Sequence, residues 1–452
     1  MKLYNTLTKR VEEFTPIDAN KVRLFVCGPT VYDYSHLGHA KTYVQMDILA
    51  RLLKHLYPTT YLQNITDIDD KIITRAAERG IDWQELRDTY QQAYEEDMQV
   101  LGNTSVDTYA RATDYMSDII RQVQTLLDKD YAYIIDGDGI YFEITKFKDY
   151  GKLSGRTELK EHDAQSRIDQ SDHKRGWNDF ALWKFSKPGE PVWDAPFGQG
   201  RPGWHIEDTA ITEHFFGPQY DVHGGAIDLI FPHHEAEITQ MESASGKVPF
   251  VRYWVHTGFL TIDSQKMSKS LNNFYTIRDV LEKYDPMAVR LFMLQSHYRS
   301  AINFSWDNLD AAKNRLERWR TFAALRHQAH GAGAPVEAGF EDILGALSDD
   351  LNTPEALRLI DEEFTYAQSR SLSEVDPGAL LRLLEFIDKL LGLKLVESTP
   401  DITQEQKQLI VEREKAREGK DWAKSDELRD QLTEQGVDIR DTPEGTVWEH
   451  TK

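Results

Sequence analysis

Cys27 is the only cysteine among 452 residues, and it stands nine positions before the tetrapeptide His36-Leu37-Gly38-His39. A lone thiol forms no disulfide within the chain, so it is either an ordinary buried hydrophobe or a reactive group. Its place favours chemistry, because it ends the mostly apolar run 22–26 and precedes a Gly-Pro turn that leads to the histidine pair. We therefore treat Cys27 as a candidate metal ligand.

The histidine pair, His36 and His39, is spaced three residues apart, which places both imidazoles on one face of a helix start. The N-terminus of a helix attracts phosphate through its free N–H groups and its dipole. Two imidazoles there are suited to donate hydrogen bonds to a phosphate that gains charge. The alternative interpretation is that both are solvated capping residues.

Lys266 and Lys269 belong to the pentapeptide KMSKS. Two lysines on a Ser-rich loop can stabilise a leaving pyrophosphate, whose charge develops only as the bond breaks. A generic basic loop is the alternative, but this pentapeptide downstream of HLGH favours the catalytic interpretation.

Three elements must position the first of these groups. The pattern predicts a buried strand over 22–27, an amphipathic helix over 38–57 and a second strand over 61–65. Strand–helix–strand order begins a parallel α/β sheet, whose ligands gather at the carboxyl ends of strands. We expect Cys27, the histidine pair and Thr66 to converge on one crevice.

The rest of the chain is predicted to be mostly helical. Residues 69–129 read as helix with breaks at Gly80 and Gly102, and short strands follow at 132–135 and 140–144. Helices resume from about 277 and stop near Gly392, and a charged helical piece ends the chain. The segment 331–339 is the best linker candidate.

Composition limits the function classes. The net charge of −22 argues against indiscriminate nucleic-acid binding, although it permits contact with one RNA through confined surfaces. The sequence contains no run of 18 apolar residues, so it predicts no membrane span. The first ten residues lack the apolar core of a signal peptide. With one cysteine, these features predict a cytoplasmic protein without a membrane partner.

Seven segments carry a resemblance to a known family: 26–33 (VCGPTVYD), 64–71 (NITDIDDK), 179–184 (DFALWK), 203–207 (GWHIE), 231–235 (FPHHE), 266–270 (KMSKS) and 297–300 (HYRS). The chain resembles the class I aminoacyl-tRNA synthetases, and among them the cysteinyl-tRNA synthetases. The resemblance includes the tail at 420–423 and 441–448, which is similar to the family's anticodon-recognition end.

The resemblance implies a two-step reaction. Cysteine attacks the α-phosphate of Mg²⁺-ATP to give cysteinyl-adenylate, and the cysteinyl group then passes to the terminal ribose of tRNA(Cys). The implied ATP contacts are Thr30, His36, His39 and Lys269, and the implied catalytic groups are His36, His39, Lys266 and Lys269. Thr66, Trp204 and Asp228 would seat the L-cysteine substrate.

The resemblance also implies one Zn²⁺ per chain, held in this family by two cysteines, a histidine and a glutamate. Cys27, His233 and Glu237 match three positions, but the fourth is Asp208 rather than cysteine. Asp208 keeps the −1 charge of a thiolate, and carboxylate oxygen is an acceptable zinc ligand. We therefore expect Asp208 to be a ligand, with an outer-shell role as the alternative.

Zinc offers a means of telling cysteine from serine that shape alone does not supply. A soft thiolate is a far better ligand than a neutral hydroxyl. A site built around a required contact discriminates by roughly 10⁴–10⁵ without editing. The harder Asp208 donor is expected to tighten the hold on the substrate thiolate and to loosen the rejection of serine.

The tail offers two candidate RNA contacts. Arg413, Lys415, Arg417 and Lys420 are suited to phosphates, with a solvated helix face as the alternative. Trp448 would either stack on an anticodon base or pack the core of a small domain.

Two rival functions remain at this point. One is a cysteine ligase that gives the adenylate to a small amine; the other is a non-catalytic tRNA-binding paralogue. The predicted architecture is an α/β, Rossmann-type parallel-sheet catalytic domain with an inserted subdomain, followed by mostly helical C-terminal domains. The predicted boundaries are 1–144 (first catalytic half), 145–200 (insertion), 201–276 (second half, zinc pocket and KMSKS), 277–330 (stem-contact helices), 340–398 (helical domain) and 401–452 (anticodon recognition).

Overall fold

The computed structural model describes residues 1–157, 171, 173–266, 273–331, 337–368, 370–442 and 445–450. The chain forms two compact units, each assembled from separated segments. The first unit contains 1–283, 296–304 and 348–351, and the second contains 284–295, 305–347 and 352–452. The finer six-segment division stays a prediction.

The described residues include sixteen strands. They are β1 Lys2–Asn5, β2 Arg10–Glu13, β3 Val22–Val26, β4 Thr59–Ile65, β5 Thr108–Arg111, β6 Ala132–Ile135, β7 Gly139–Phe142, β8 Phe180–Phe185, β9 Gly200–Pro202, β10 Tyr220–Ala226, β11 Val251–Thr257, β12 Leu260–Ile262, β13 Gln265–Lys266, β14 Ile302–Phe304, β15 Val437–Thr442 and β16 Gly445–His450.

Fourteen α-helices connect and cover them in the same described ranges. They are α1 Leu37–Leu56, α2 Asp70–Arg79, α3 Trp83–Val100, α4 Met116–Asp128, α5 Trp204–Phe216, α6 Glu235–Ser245, α7 Ile277–Leu281, α8 Pro286–Leu294, α9 Trp306–Ala324, α10 Glu337–Ser348, α11 Thr353–Gln368, α12 Pro377–Leu391, α13 Gln404–Glu418 and α14 Trp422–Glu434.

A five-stranded parallel sheet forms the centre of the first unit, in the order β11-β10-β3-β4-β5. Val22, Leu24, Phe25 and Val26 of the middle strand are all fully buried, as expected for a parallel sheet covered on both faces. This arrangement confirms the predicted Rossmann-type α/β fold. It also brings the ends of β3, β4 and β10 to one edge, where Cys27 follows β3.

Helix α1 begins where the histidine motif predicts. His36 is the N-cap and His39 the third helical residue, and each imidazole accepts a hydrogen bond from the other residue's backbone N–H. Such a reciprocal capping box satisfies two N–H groups that the helix itself leaves unpaired. The helix ends at Leu56, and Tyr57 is already extended because Pro58 disfavours a helical conformation in the residue that precedes it.

Lys41 is a fully buried lysine on α1. Its Nζ donates to Ser296 Oγ at 3.2 Å, and burial lowers its pKa from 10.5 to about 7. The folded chain therefore loses this proton at a much lower pH than the unfolded chain does.

Replacing Lys41 with methionine is expected to stabilise the chain more at pH 6 than at pH 10. Below pH 7 the folded state must bury an ammonium, whereas between pH 7 and 10.5 only the unfolded state carries the charge. The shift corresponds to about 4–5 kcal/mol of unfolding free energy gained as pH rises. Thermal melts of both proteins at the two pH values measure it, and a pH-independent difference would contradict the assignment.

Two parts of the chain differ from the helical prediction. Residues 108–111 form β5, the edge strand beside β4, instead of continuing a helix. Asp107 directs this pairing, because its Oδ2 accepts from Tyr61 N at 2.7 Å and its Oδ1 from Lys54 Nζ at 2.6 Å. The charged tail likewise ends in the β15–β16 hairpin rather than in helix.

An antiparallel sheet, β6-β7-β8-β9, is inserted between the halves of the parallel sheet. Residues 158–170 and 172, within the predicted insertion, lie outside the described ranges. Gly203 leads from β9 into α5, and a side chain there would meet Ala181 O at 1.9 Å. The insertion thus fixes where α5 starts.

The second unit is mostly helical, as predicted. Helix α12 ends at Gly392, whose φ of 64° is the left-handed conformation that favours glycine. Residues 332–336 of the predicted linker lie outside the described ranges. Among the described helices, none combines the length and apolar character needed to cross a membrane.

Candidate active site

Cys27, Asp208, His233 and Glu237 meet in one buried cluster at the edge of the parallel sheet. The Nε2 atom of His233 lies 3.5 Å from Cys27 Sγ, 3.1 Å from Asp208 Oδ2 and 3.0 Å from Glu237 Oε1. None of the four side chains is more than 4% exposed. The structure therefore brings all four predicted metal positions together.

Three elements supply these donors. Cys27 follows β3, Asp208 lies in the second turn of α5, and His233 lies just before α6, four residues ahead of Glu237 in its first turn. Residues four apart on a helix face the same way. The i, i+4 pair therefore points back toward the strand end that carries the thiol.

The cluster has the properties of a cation site. One imidazole nitrogen faces three acceptors, although it can donate to only one of them at a time. Neither carboxylate oxygen of Glu237 accepts a hydrogen bond of good geometry among the described residues, although this side chain is fully buried and its oxygens lie 3.0 Å from His233 and 3.4 Å from His223. A buried carboxylate is costly unless hydrogen bonds, a metal or another cation satisfy it. The donor set of one sulfur, one nitrogen and two carboxylates fits a divalent cation.

His205 orients the imidazole of His233. The two Nδ1 atoms lie 2.7 Å apart, so one donates to the other. A proton on Nδ1 of His233 leaves Nε2 with the lone pair that a metal needs. The Trp204 ring stacks on the same imidazole at 4.1 Å between centroids, which holds its plane.

Burial and the neighbouring carboxylates shift the pKa values of Cys27 and His233. Burial, and then Asp208 and Glu237, raise the pKa of the Cys27 thiol. Burial alone would lower the pKa of His233, but Glu237 and Asp208 raise it to about 9. A bound cation acts in the opposite direction on both groups, because it favours the thiolate and the neutral imidazole.

Further histidines lie beside the cluster. His234 Nδ1 contacts His256 Nε2 at 2.8 Å, and His256 Nδ1 contacts Thr6 Oγ1 at 2.8 Å. His223 lies 3.4 Å from Glu237 Oε2 and 2.7 Å from the Tyr220 hydroxyl. The structure places these three rings around the donors.

Glu235 has a different, structural role. Its carboxylate accepts hydrogen bonds from the backbone N–H groups of Gly151, Leu153 and Ser154 at 2.8–3.4 Å. It therefore fixes the loop at 151–154 rather than facing the cluster.

The histidines of α1 present a defined pair of donors. Because each Nδ1 accepts a backbone N–H, each neutral ring carries its proton on Nε2. The rings stack at 3.9 Å with an angle of 12°. Burial, and then His36, lower the pKa of His39, which keeps this ring neutral.

The predicted substrate residues occupy different surroundings. Thr66 is 1% exposed and pairs with Thr30 in an isolated parallel bridge. Trp204 covers the donor cluster through its stack on His233. Asp228 lies in the short turn after β10 and is exposed. The structure thus places Thr66 and Trp204 at the buried sheet edge and Asp228 at the surface.

The two KMSKS lysines are only partly described. Lys266 ends β13, and its backbone pairs with Thr261 of β12. Lys269 lies outside the described residues. Their assignment as catalytic groups stays a prediction.

Two polar residues near the cluster receive no role from the sequence alone. Asn64 Nδ2 donates to Asp208 Oδ1 at 2.6 Å. Glu207 is 1% exposed, and its carboxylate oxygens accept no hydrogen bond that meets normal geometry among the described residues. The motifs NITDIDDK and GWHIE contain both, but only tertiary structure shows what they contact.

Family models match both ends of the chain. Residues 13–314 match the tRNA synthetases class I (C) catalytic domain. Residues 399–448 match the cysteinyl-tRNA ligase anticodon binding domain. The chain belongs to the cysteinyl-tRNA synthetase family.

Full-length relatives support the same assignment. A cysteine–tRNA ligase from Thermococcus onnurineus is 43% identical, with 99% of this chain and 98% of the relative aligned. One from Hydrogenovibrio crunogenus is 44% identical, with 99% of each aligned. Members of this family are ligases, so the predicted enzyme class is confirmed.

Solved structures confirm the fold. The methionyl-tRNA synthetase of Mycobacterium tuberculosis, solved with methionyl-adenylate, aligns with a TM-score of 0.59 at 15% identity over 84% of this chain and 91% of that one. A leucyl-tRNA synthetase complex from Agrobacterium radiobacter gives a TM-score of 0.62 at 11% identity over 85% of each chain. At such low sequence identity, the structural likeness shows the fold alone.

Proposed function

We propose that this chain activates L-cysteine with ATP and transfers it to the 3′-terminal ribose of tRNA(Cys), and that zinc selects the substrate. The observation that carries the zinc proposal is that Cys27, Asp208 and Glu237 all lie within 3.5 Å of one buried nitrogen, His233 Nε2, with too few hydrogen-bond donors for their acceptors. The cytoplasmic location predicted from the sequence stays part of the proposal.

The nucleotide half of the site relies on the start of α1 and on the KMSKS lysines. The Nε2–H groups of His36 and His39 would donate to the phosphates of Mg²⁺-ATP, with Thr30 beside them. Lys266 and Lys269 would stabilise the departing pyrophosphate, whose charge appears only in the transition state. We expect Lys269 to contribute more to this stabilisation than Lys266.

The amino-acid half relies on the metal cluster. Zinc bound there would supply a soft Lewis acid that favours the thiolate form of cysteine over the hydroxyl of serine. Trp204 covers the cluster, and Thr66 lies at the buried end of β4, so both are placed to contact the remainder of the amino acid. Asp228 would reach the substrate from the surface.

Replacing Asp208 with cysteine is expected to tighten discrimination against serine. The substitution restores a soft donor, so a neutral hydroxyl should compete less well for the remaining position. We expect the ratio of kcat/KM for cysteine to that for serine to rise by about tenfold, within the range that one contact contributes. Cysteine- and serine-dependent ATP–pyrophosphate exchange measures both values.

Zinc content, measured on the same preparations, separates ligation from an outer-shell role. If the metal content and the serine discrimination of Asp208→Cys match those of the unchanged chain, Asp208 is not a ligand. Asp221→Cys is a matched control, because this equally buried aspartate binds the backbone N–H groups of Ile17 and Arg23 instead of the cluster.

The sequence leaves two interpretations of Trp448 open, and they differ in the burial they require. Trp448 is 5% exposed and packs with Leu432 and Val437 in a small core, so the core-packing interpretation holds. Trp422, the first residue of α14, is 59% exposed. We propose Trp422 as the aromatic that stacks on an unpaired anticodon base.

Replacing Trp422 with alanine is expected to raise KM for tRNA(Cys) by about 5–100-fold, because base–aromatic stacking contributes ~1–3 kcal/mol. Cysteine-dependent pyrophosphate exchange should not change, since that step needs no tRNA. Trp177→Ala, which removes a similarly exposed tryptophan from the first unit, is the control. An unchanged KM in the Trp422 variant would contradict the stacking role.

The rival functions predict other outcomes in a paired assay. A ligase for small amines would catalyse exchange without charging tRNA, and a non-catalytic paralogue would show no exchange. The anticodon-binding match at 399–448 supports tRNA as the acceptor. We expect cysteine-dependent exchange and tRNA(Cys) charging in the same preparation.

A further inference from the structure

The Asn64 side chain joins two parts of the chain that supply metal donors. It is fully buried at the end of β4. Its Oδ1 accepts a hydrogen bond from Gly28 N at 2.6 Å, one residue after Cys27. Its Nδ2 donates to Asp208 Oδ1 at 2.6 Å. One amide thus contacts the backbone beside the thiol and the carboxylate on α5.

The orientation of this amide is fixed by its surroundings. A backbone N–H only donates, so the atom that faces Gly28 must be the amide oxygen. The amide NH₂ is therefore directed at Asp208, and a flipped amide would place two donors against each other at Gly28. Gly28 leaves the room that this contact needs, because a Cβ there would lie 1.7 Å from the backbone carbonyl oxygen of Asn64 and 3.1 Å from its Oδ1.

This contact divides the two oxygens of Asp208. Oδ1 is engaged by Asn64, whereas Oδ2 lies 3.1 Å from His233 Nε2, inside the donor cluster. We infer that Asn64 is a positioning residue that holds Asp208 so that it binds the metal through Oδ2 alone. The inference rests on the proposed role of Asp208 as a ligand.

The physical reason for such a contact lies in the carboxylate. A free aspartate can rotate and bind a metal through one oxygen or both, whereas a clamped one is pre-organised in a single arrangement. Outer-shell hydrogen bonds of this kind typically change metal affinity by about 10–100-fold. Asn64 also links the end of β3 to β4 through Gly28, which is a purely structural contact. The test must separate the two.

Exchanging the two side chains provides that test. In the single variant Asp208→Asn, the Asn64 NH₂ demands an oxygen, so the new amide turns its own NH₂ toward the metal. We expect zinc affinity to fall by at least 100-fold. In the double variant Asn64→Asp/Asp208→Asn, the carboxylate at position 64 accepts from both Gly28 N–H and the new amide, whose oxygen then faces the metal. We expect the exchange to recover at least tenfold of the lost affinity.

Asn64→Asp in the unchanged Asp208 background is the control for charge. It adds the same negative charge and keeps the Gly28 contact, but it sets two carboxylate oxygens against each other. We expect it to weaken zinc binding. If it tightens zinc binding by as much as the exchange does, charge alone explains the recovery and the inference is wrong.

Competition of each full-length protein with a chromophoric chelator for Zn²⁺ measures the four affinities, and thermal melts confirm folding. Affinity of Asp208→Asn equal to that of the unchanged chain overturns the ligand proposal itself. A loss in Asp208→Asn that the exchange does not recover overturns only the positioning role of Asn64.

Discussion

Replacing Lys269 with alanine is expected to lower kcat for cysteine-dependent ATP–pyrophosphate exchange by about 10²–10³-fold, the typical cost of removing one pre-organised group that stabilises transition-state charge. KM for ATP should change much less, because pyrophosphate gains charge only as the bond breaks. Stopped-flow or filter-based exchange at saturating cysteine measures both quantities.

Lys247→Ala supplies the matched control, since it removes an exposed lysine on the loop before β11. Its exchange rate should equal that of the unchanged chain. A Lys269 variant whose kcat stays within threefold would show that another group carries the pyrophosphate charge, and Lys266→Ala would then be the next variant to measure.

The second large effect is expected at Cys27. Cys27→Ser exchanges a single atom, sulfur for oxygen, at the only cysteine of the chain. It therefore replaces a good zinc ligand with a poor one. Replacing a residue that only hydrogen-bonds to a metal ligand typically lowers metal affinity by about 10–100-fold. Loss of the Cys27 ligand should lower zinc affinity by more than that. Cysteine activation should fall with it, and added zinc should restore part of the rate.

Folding must be checked separately, because burying a hydroxyl where a thiol packed costs about 1–3 kcal/mol when it has no partner. Cys27→Ala removes the ligand without adding a polar group, so loss of zinc in both variants, with native melting curves, identifies a ligand. Full zinc content in Cys27→Ala would contradict the proposed donor set.

The elements with strong local patterns are predictable from the sequence. The apolar run before Cys27, the helix that begins at Leu37 and the strand that ends at Ile65 lie within two residues of their predicted bounds. Strand β5 is not predictable in this way, because its four residues of mixed polarity form a strand only through pairing with β4 and through the contacts of Asp107. Local propensity carries no information about that partner.

The site divides in the same way. The family resemblance identifies Cys27, His233 and Glu237, and the i, i+4 spacing supports the last two. Asp208 is identified because its carboxylate keeps the −1 charge of the thiolate that the family has at this position. The orientation of His233 by His205 and of Asp208 by Asn64 depends on contacts between distant segments. No sequence spacing predicts these contacts.

The two tryptophans of the tail show how burial decides between interpretations that composition leaves open. Trp448 lies in a Gly-Thr-Val-Trp run and Trp422 follows an aspartate, and neither context reveals exposure. The hairpin turns Trp448 into the core, while α14 begins with Trp422 at the surface. Only the second is available to a nucleic-acid base.

Zinc-edge X-ray absorption of the purified full-length chain, with and without cysteine, tests the central claim most directly. The account predicts one zinc per chain with a single sulfur neighbour at about 2.3 Å and nitrogen or oxygen neighbours at about 2.0–2.2 Å. Added cysteine should raise the number of sulfur neighbours to two, whereas serine should leave it at one. A chain that holds no zinc, or a sulfur count that cysteine does not change, would contradict the account.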